Sequence, residues 1–210
     1  EVRGKKAPAE FLDTAQKALA LLLTGETIAA RRKDFDAEAL ASFGLMTAKP
    51  FIYAVNTDEE GLRNTDFQAE VRAQLAPADV IFLDAKFESE LAELDAEDAA
   101  EMLADSGQEE SGLDQLARVG FHTLGLQTYL TAGPKEARAW TIHKGWTAPQ
   151  AAGVIHTDFQ KGFIKAEVVS FEDLLEAGSI PAARSAGKAR IEGKDYVMVD
   201  GDVVEFRFNV

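Results

Sequence analysis

Apolar positions near the start of the chain recur at three- and four-residue spacings: Phe11, Leu12, Ala15, Leu19, Leu22 and Leu23. This spacing predicts a helix over 9–24, stopped by Gly25. Asp36 is placed to cap a second helix carrying Ala37, Leu40, Ala41 and Phe43 on one side, so residues 1–47 read as a helical hairpin or the stump of one. The period then changes. Pro50 to Val55 is a short continuous apolar run, expected to be a strand buried on both faces of a parallel sheet. A polar turn over 56–61 follows, then a helix over 64–75 with Phe67, Val71 and Leu75 in phase and Pro77 after it. Asp79 to Asp84 predicts a second buried strand, and 88–104 returns to helical periodicity through Leu91, Leu94, Met102 and Leu103. Strand–loop–helix repeated twice predicts α/β architecture with ligands at the carboxyl ends of the strands. Two strands do not make a stable open sheet, so others are expected from outside this sequence.

From about Leu126 short strands and glycine turns take over. Residues 136–142, 164–169 and 194–199 alternate as strands, 203–208 ends the chain as another, and Ala148-Pro149 opens a helix through Ile155. A strand pair, one helix and further strands over some eighty residues suggest an α+β domain of the β-grasp, ubiquitin-like kind.

Charge and composition narrow the chemistry. The chain of 210 residues carries a formal charge of −14 and no cysteine, which removes disulfides, thiolate metal sites and cysteine nucleophiles. Residues 1–127 hold 25 acidic against 12 basic side chains, while 128–210 hold 11 against 10. Twelve carboxylates between Asp84 and Asp114 face Lys86 alone, a surface that repels a phosphate backbone. No apolar run approaches the length of a membrane span, and a cytoplasmic location is the expectation. The three histidines, His122, His143 and His156, lack zinc-ligand spacing, so no metal site and no catalytic residue is predicted. His156 is expected to cap or brace a loop. Trp140, Trp146, Phe159 and Phe163 among Lys144, Lys161 and Lys165 are the ingredients of an RNA-contacting face, although strand alternation turns Trp140 inward.

The sharpest local site is Asn56-Thr57-Asp58-Glu59 directly after the first strand, at the place where P-loop GTPases carry an Asn-Lys-x-Asp base-recognition element. The second strand ends in Asp84-Ala85-Lys86, at the place of the GTPase Ser-Ala-Lys loop, with Asp in place of Ser. No phosphate-binding loop of the form Gly-x4-Gly-Lys-Ser/Thr occurs in the sequence.

These elements, with Lys49 to Asn56, Gly112-Leu-Asp114, Leu126-Gln-Thr-Tyr129, Ala148 to Phe159 and Lys161 to Lys165, resemble the YchF subfamily of Obg-like P-loop NTPases over about 165 residues. The resemblance implies a distal helical coiled-coil insertion over 1–47, the C-terminal part of a GTPase-like domain over 48–125, and a TGS domain over 126–210. It implies that the chain is the second half of a longer protein whose N-terminal half holds the P-loop. That family hydrolyses nucleoside triphosphates slowly, by in-line attack of water with magnesium, and associates with ribosomes. Asn-x-x-Glu departs from the guanine code, and the family favours ATP or accepts it alongside GTP. The resemblance places base recognition on Asn56, Thr57, Glu59, Asp84, Ala85 and Lys86. ATP or GTP, the ribosome and the missing half are the expected partners. The alternative is a non-catalytic module that binds ribosome, RNA or protein. An independent hydrolase using carboxylates from Glu88 to Glu110 has no paired-site signal.

Overall fold

The computed structural model describes residues 8–133 and 136–209. The first seven residues of the expected helical arm lie outside that range. The chain divides into two compact units, 1–123 and 124–210.

In the first unit, α1 (Ala9–Leu23) and α2 (Ala37–Phe43) pack through Ala18, Ile28, Leu40 and Ala48. Asp36 caps α2 by accepting from the Ala39 amide at 2.8 Å, and Gly44 closes it at φ 61°. The buried face of α1 is not the leucine stripe that periodicity suggests. Thr14 and Ala18 are buried, while Leu12, Leu19 and Leu23 stand exposed. Half-buried Leu21 and Leu22 complete the packed face around Ile28 and Leu40.

Strands β1 (Ile52–Asn56) and β2 (Asp79–Leu83) are parallel, with Asn56 opposite Leu83. Between them run α3 (Glu59–Arg63) and α4 (Thr65–Leu75), the latter capped by Asn64, which accepts from the Phe67 amide at 2.9 Å. β2 is buried through Val80, Ile81 and Phe82. β1 is not: Tyr53 is 39 % exposed, because β1 pairs with β2 alone among the described residues.

The single helix expected over 88–104 is two, α5 (Ala85–Leu91) and α6 (Ala96–Ser106). Asp95 breaks the run by accepting from the Glu97 and Asp98 amides, each at 3.1 Å, which starts a new helix instead of continuing the old one. Periodicity predicts no element over 112–123, yet α7 (Gly112–Thr123) lies there. It is bolted to β2, where the Gln115 side chain accepts from the Phe82 amide at 3.3 Å and the Thr123 hydroxyl meets Asp79.

The second unit is a five-stranded mixed sheet in the order β4-β3-β7-β5-β6, comprising β3 (Leu126–Ala132), β4 (Ala137–His143), β5 (Phe163–Ser170), β6 (Arg190–Glu192) and β7 (Asp202–Phe208). The two outer chain segments, β3 and β7, are parallel neighbours, and the remaining pairs are antiparallel. Helix α8 (Ala148–Ile155) covers one face with Ala148, Ala151 and Ala152, and the Tyr129 hydroxyl donates to the Ala151 carbonyl at 3.0 Å. Burial raises the pKa of Tyr129, which keeps that hydroxyl a donor. Tyr129, Ile142, Phe163, Ala166, Val168, Val204 and Phe206 fill the core beneath.

Two expectations for this unit are corrected. Residues 194–199 are not a strand: Val197 makes only an isolated bridge to Thr147, and Met198 is held by Trp146 and Gln127, so the paired segment is β6. Strict alternation fails in β5, where Ala166 to Val169 are all buried. Helices α10 (Phe171–Ala177) and α11 (Ile180–Ser185), which periodicity does not show, lie beyond β5, and Arg184 of α11 grips Glu167 with two bonds of 2.7 Å. A strand covered on both sides buries both of its side-chain sets.

Candidate functional site

The carboxyl ends of β1 and β2 come together because the strands are parallel and in register. Asn56, the last residue of β1, accepts from the Ala85 amide at 2.9 Å, and the Thr57 amide donates to the Leu83 carbonyl at 2.9 Å. These two bonds tie the loop after β1 to the loop after β2. Each loop then turns at once into a helix. Asp58 caps α3 by accepting from the Gly61 amide at 2.9 Å, and Asp84 caps α5 by accepting from the amides of Lys86 at 2.9 Å and Phe87 at 3.3 Å. An Asp at this second position therefore acts as a helix cap and holds Lys86 at the first turn.

Glu59 stands at the start of α3, where its carboxylate pairs with Arg63 at 2.7 Å. Arg63 also donates to the Ser106 carbonyl at the end of α6, at 3.3 Å. Lys86 is 86 % exposed in its side chain and 3.7 Å from Glu90, free to swing over whatever lies between the loops. Thr57 is half-buried over the backbone of α3, so tightly that a Cβ at Gly61 would lie 1.9 Å from its Oγ1. Only glycine at 61 permits this.

A cleft of about 330 Å³ opens here, with Glu59, Asp84 and Lys86 at its rim and Leu62, Phe87 and Met102 offering apolar surface. That is the low end of the range for small-molecule sites. Its carboxylates accept hydrogen bonds only, and they repel anions. The cleft suits a neutral group bearing amino donors better than a phosphate. A comparable depression of about 350 Å³ lies at the opposite, amino ends of the strands, beside Phe51, Tyr53 and Gln74. Open parallel sheets bind ligands at carboxyl ends, which makes the former the candidate.

Of the six predicted residues, Glu59, Asp84 and Lys86 line the cleft, while Asn56, Thr57 and Ala85 lie at the junction of the two loops behind it and do not line it. Three contributors were not legible beforehand. Met102 reaches the site through the docking of α6, and Arg63 acts from behind Glu59, linking it to the end of α6. Glu88 lies just outside it, where its carboxylate accepts from the Gly112 amide at 2.7 Å and caps α7. The one sequence signal for this last contact is Ser111-Gly112-Leu113-Asp114, in which Ser111 and Asp114 bond reciprocally.

Elsewhere, His156 caps α9 (Thr157–Lys161), its Nδ1 accepting from the Asp158 amide at 3.2 Å, as a loop-bracing histidine does. Among the described residues no three His, Asp or Glu side chains cluster as a metal site. The aromatic residues of the second unit go chiefly to packing. Phe163 is in the core, Phe159 stacks on Phe208 at 3.7 Å, and half-buried Trp140 donates to Thr131 at 2.9 Å. Lys144, Lys161 and Lys165 remain exposed.

With this geometry in hand, similarity to known proteins is informative. Residues 126–209 match the family model described as YchF-GTPase_C, a protein of unknown function (DUF933). The chain is 50 % identical over 175 residues to the ribosome-binding ATPase YchF of Haemophilus influenzae, covering 82 % of this chain and 48 % of that protein. It is 45 % identical over 212 residues to the namesake from Pasteurella multocida (99 % and 58 %), and 41 % identical over 182 residues to the Obg-like ATPase 1 of Pongo abelii (84 % and 46 %). The chain therefore spans about half the length of the curated relatives it matches. Its fold resembles the structure of the Schizosaccharomyces pombe YchF GTPase with a TM-score of 0.76 at 32 % identity, covering 94 % of this chain and 53 % of that one. No helix among the described residues is long and apolar enough to cross a membrane. The chain belongs to the YchF subfamily of Obg-like P-loop NTPases.

Proposed function

We propose that this chain supplies the base-recognition half-site of a ribosome-associated ATPase or GTPase, together with a β-grasp module of the TGS type. The observation that carries the proposal is the 2.9 Å bond from Ala85 to Asn56, which joins the two strand-end loops into one corner. In this reading residues 1–47 are the distal part of a helical insertion, 48–125 the C-terminal part of the nucleotide-binding domain and 126–210 the TGS module.

The roles follow from chemistry. Asn56 braces the two loops. Glu59, an acceptor-only group held by Arg63, takes the exocyclic amino group of the base, and Thr57 sets the height of the floor beneath it. The Ala85 backbone and the Lys86 stem close over the ring, with Asp84 fixing their turn. Phosphates would be directed away from the acidic rim toward a P-loop that this sequence does not contain. Magnesium would arrive coordinated chiefly by those phosphates and water, and no residue of this chain is assigned to it. The chain's own residues therefore bind and orient the base, and none of them acts on the γ-phosphate.

The test is a swap of base code. In a complete protein carrying this sequence, Glu59→Asp combined with Thr57→Lys is expected to shift affinity from ATP toward GTP by about tenfold or more, since one rebuilt donor–acceptor pair is worth roughly 1–3 kcal/mol. Unchanged affinities for both nucleotides would remove Asn56 to Glu59 from base recognition.

A second reading, a non-catalytic ribosome-, RNA- or protein-binding module, draws support from the exposed Lys144, Lys161 and Lys165 on a unit that is close to neutral. Co-sedimentation with ribosomes without nucleotide, abolished by removing 126–210, would favour it. Co-sedimentation that depends on nucleotide would favour the first reading.

A further inference from the structure

The two edges of the five-stranded sheet are treated differently. β6 is three residues long and carries Arg190 and Glu192, the usual means of blunting an edge. β4, at the other edge, is seven residues long, contains no proline, and pairs with β3 in unbroken register. Its one arginine, Arg138, is folded over the Trp140 ring at 4.1 Å.

The phase of the ladder settles which backbone groups face outward. At one end the Lys144 amide donates to the Gly125 carbonyl at 2.8 Å, and at the other the Gly133 amide donates to the Glu136 carbonyl at 2.9 Å. Even-numbered residues of β4 therefore bond to β3, and the amides and carbonyls of Ala137, Ala139, Thr141 and His143 point away from the sheet. The side chains of these four are exposed and mostly small. Nothing bulky guards the row.

We propose that this edge is a self-association surface, occupied by β4 of a second copy of this chain in antiparallel register centred on Trp140. That register sets Ala139 opposite Thr141 of the partner copy and Ala137 opposite His143, so all four outward residues are paired in both copies. Shifting by one pair in either direction leaves one of them unpaired. The same register sets Glu136 opposite Lys144 at both ends and places no like charges across from one another. Trp140 meets its own symmetry mate, the kind of aromatic cross-strand pair that stabilises sheets. The contact is two-fold and closed, and it joins both five-stranded sheets into one.

Sedimentation equilibrium on the full chain across the micromolar range tests the idea. Thr141→Pro removes one outward amide and is tolerated on a free edge. It is expected to weaken dimerisation by at least about tenfold, with far-ultraviolet dichroism unchanged and tryptophan fluorescence shifted only as far as loss of the Trp140 pair requires. Lys144→Glu should weaken it less, and adding Glu136→Lys should restore it, a rescue that damage to folding would not produce. A chain that stays monomeric throughout overturns the proposal. So does a dimer indifferent to Thr141→Pro, which places the contact elsewhere, and so does an edge that takes an extended peptide from another protein while the chain remains monomeric.

Discussion

The two units solve the problem of burial differently. In the second, five strands and α8 enclose a continuous core in which Tyr129, Ile142, Val168 and Val204 lose nearly all contact with water. In the first, two parallel strands and a ring of capped helices bury Val80 to Phe82 on one strand while leaving Tyr53 on the other partly open. The sequences of β1 and β2 are similarly apolar, so the difference comes from neighbours. β2 is covered by α7 and α4 as well as paired with β1, whereas β1 has β2 as its only strand partner among the described residues and touches α7 more lightly. The well-packed unit therefore provides a rigid platform, and the open one holds the loops proposed to recognise a base. In the proposed reading the binding groups lie where packing is least complete, on loops hung from a short scaffold.

The contrast breaks most sharply through a pair of truncations. Phe206→Ala, in the centre of the second core beside Tyr129 and Phe163, is expected to cost about 3–5 kcal/mol. Tyr53→Ala on the open strand should cost no more than about 1 kcal/mol. Both tryptophans, Trp140 and Trp146, lie in the second unit, so the thermal transition seen in their fluorescence should fall by well over ten degrees in the first variant. The second variant, whose unit holds no tryptophan, is followed by far-ultraviolet dichroism, and its transition should move by only a few degrees. Comparable shifts in the two variants would show that β1 is as well packed as the C-terminal sheet.

A smaller effect is expected from Glu88→Ala, which leaves the amides of Gly112 and Leu113 without their carboxylate cap. Loss of a helix cap costs about 1–2 kcal/mol. The effect should appear as faster amide exchange through α7 and along β2, with the C-terminal sheet unaffected. Uniform protection in the variant would mean that Ser111 caps the helix sufficiently alone.

The smallest effect concerns acid. The hydrogen-bonded Arg184 guanidinium beside Glu167 holds that carboxyl below its usual range, and Arg207 and Lys165 nearby act in the same direction. A depressed folded-state pKa contributes stability that is complete above the ordinary glutamate value and lost as the pH falls through the depressed one. The difference in melting temperature between the wild-type chain and Glu167→Gln should therefore be present at neutral pH and vanish in strong acid. A difference that persists at low pH would assign the role of Glu167 to packing.

Much of the frame was legible in the residues. Parallel β1 and β2 follow from two short apolar runs separated by a helical stretch, and α8 follows from Thr147-Ala148-Pro149 with Gln150 completing the cap. The strand-end loops were found because Asn56 to Glu59 and Asp84 to Lys86 follow apolar runs directly. What escaped notice had several causes, and α7, twelve residues long, was missed although its length is ordinary. Helices α9, α10 and α11 are five to seven residues long, too short for a periodic pattern to stand out. The break between α5 and α6 rests on one carboxylate, Asp95, competing for backbone amides.

Local chemistry by itself determined where this chain starts and stops its regular elements, through Asp36, Asn64, Asp84 and Ser170 as caps and Gly44, Gly107 and Gly178 at helix ends, because these effects act within one turn of backbone. Only the tertiary structure decided which apolar faces were buried: Thr14 and Ala18 instead of Leu19 on α1, both faces of β5, and β2 but not β1. It also decided that Arg63 of α3 would reach the Ser106 carbonyl at the end of α6, 43 residues later. Burial depends on what else comes within reach, and the spacing of residues along one segment carries no record of its neighbours.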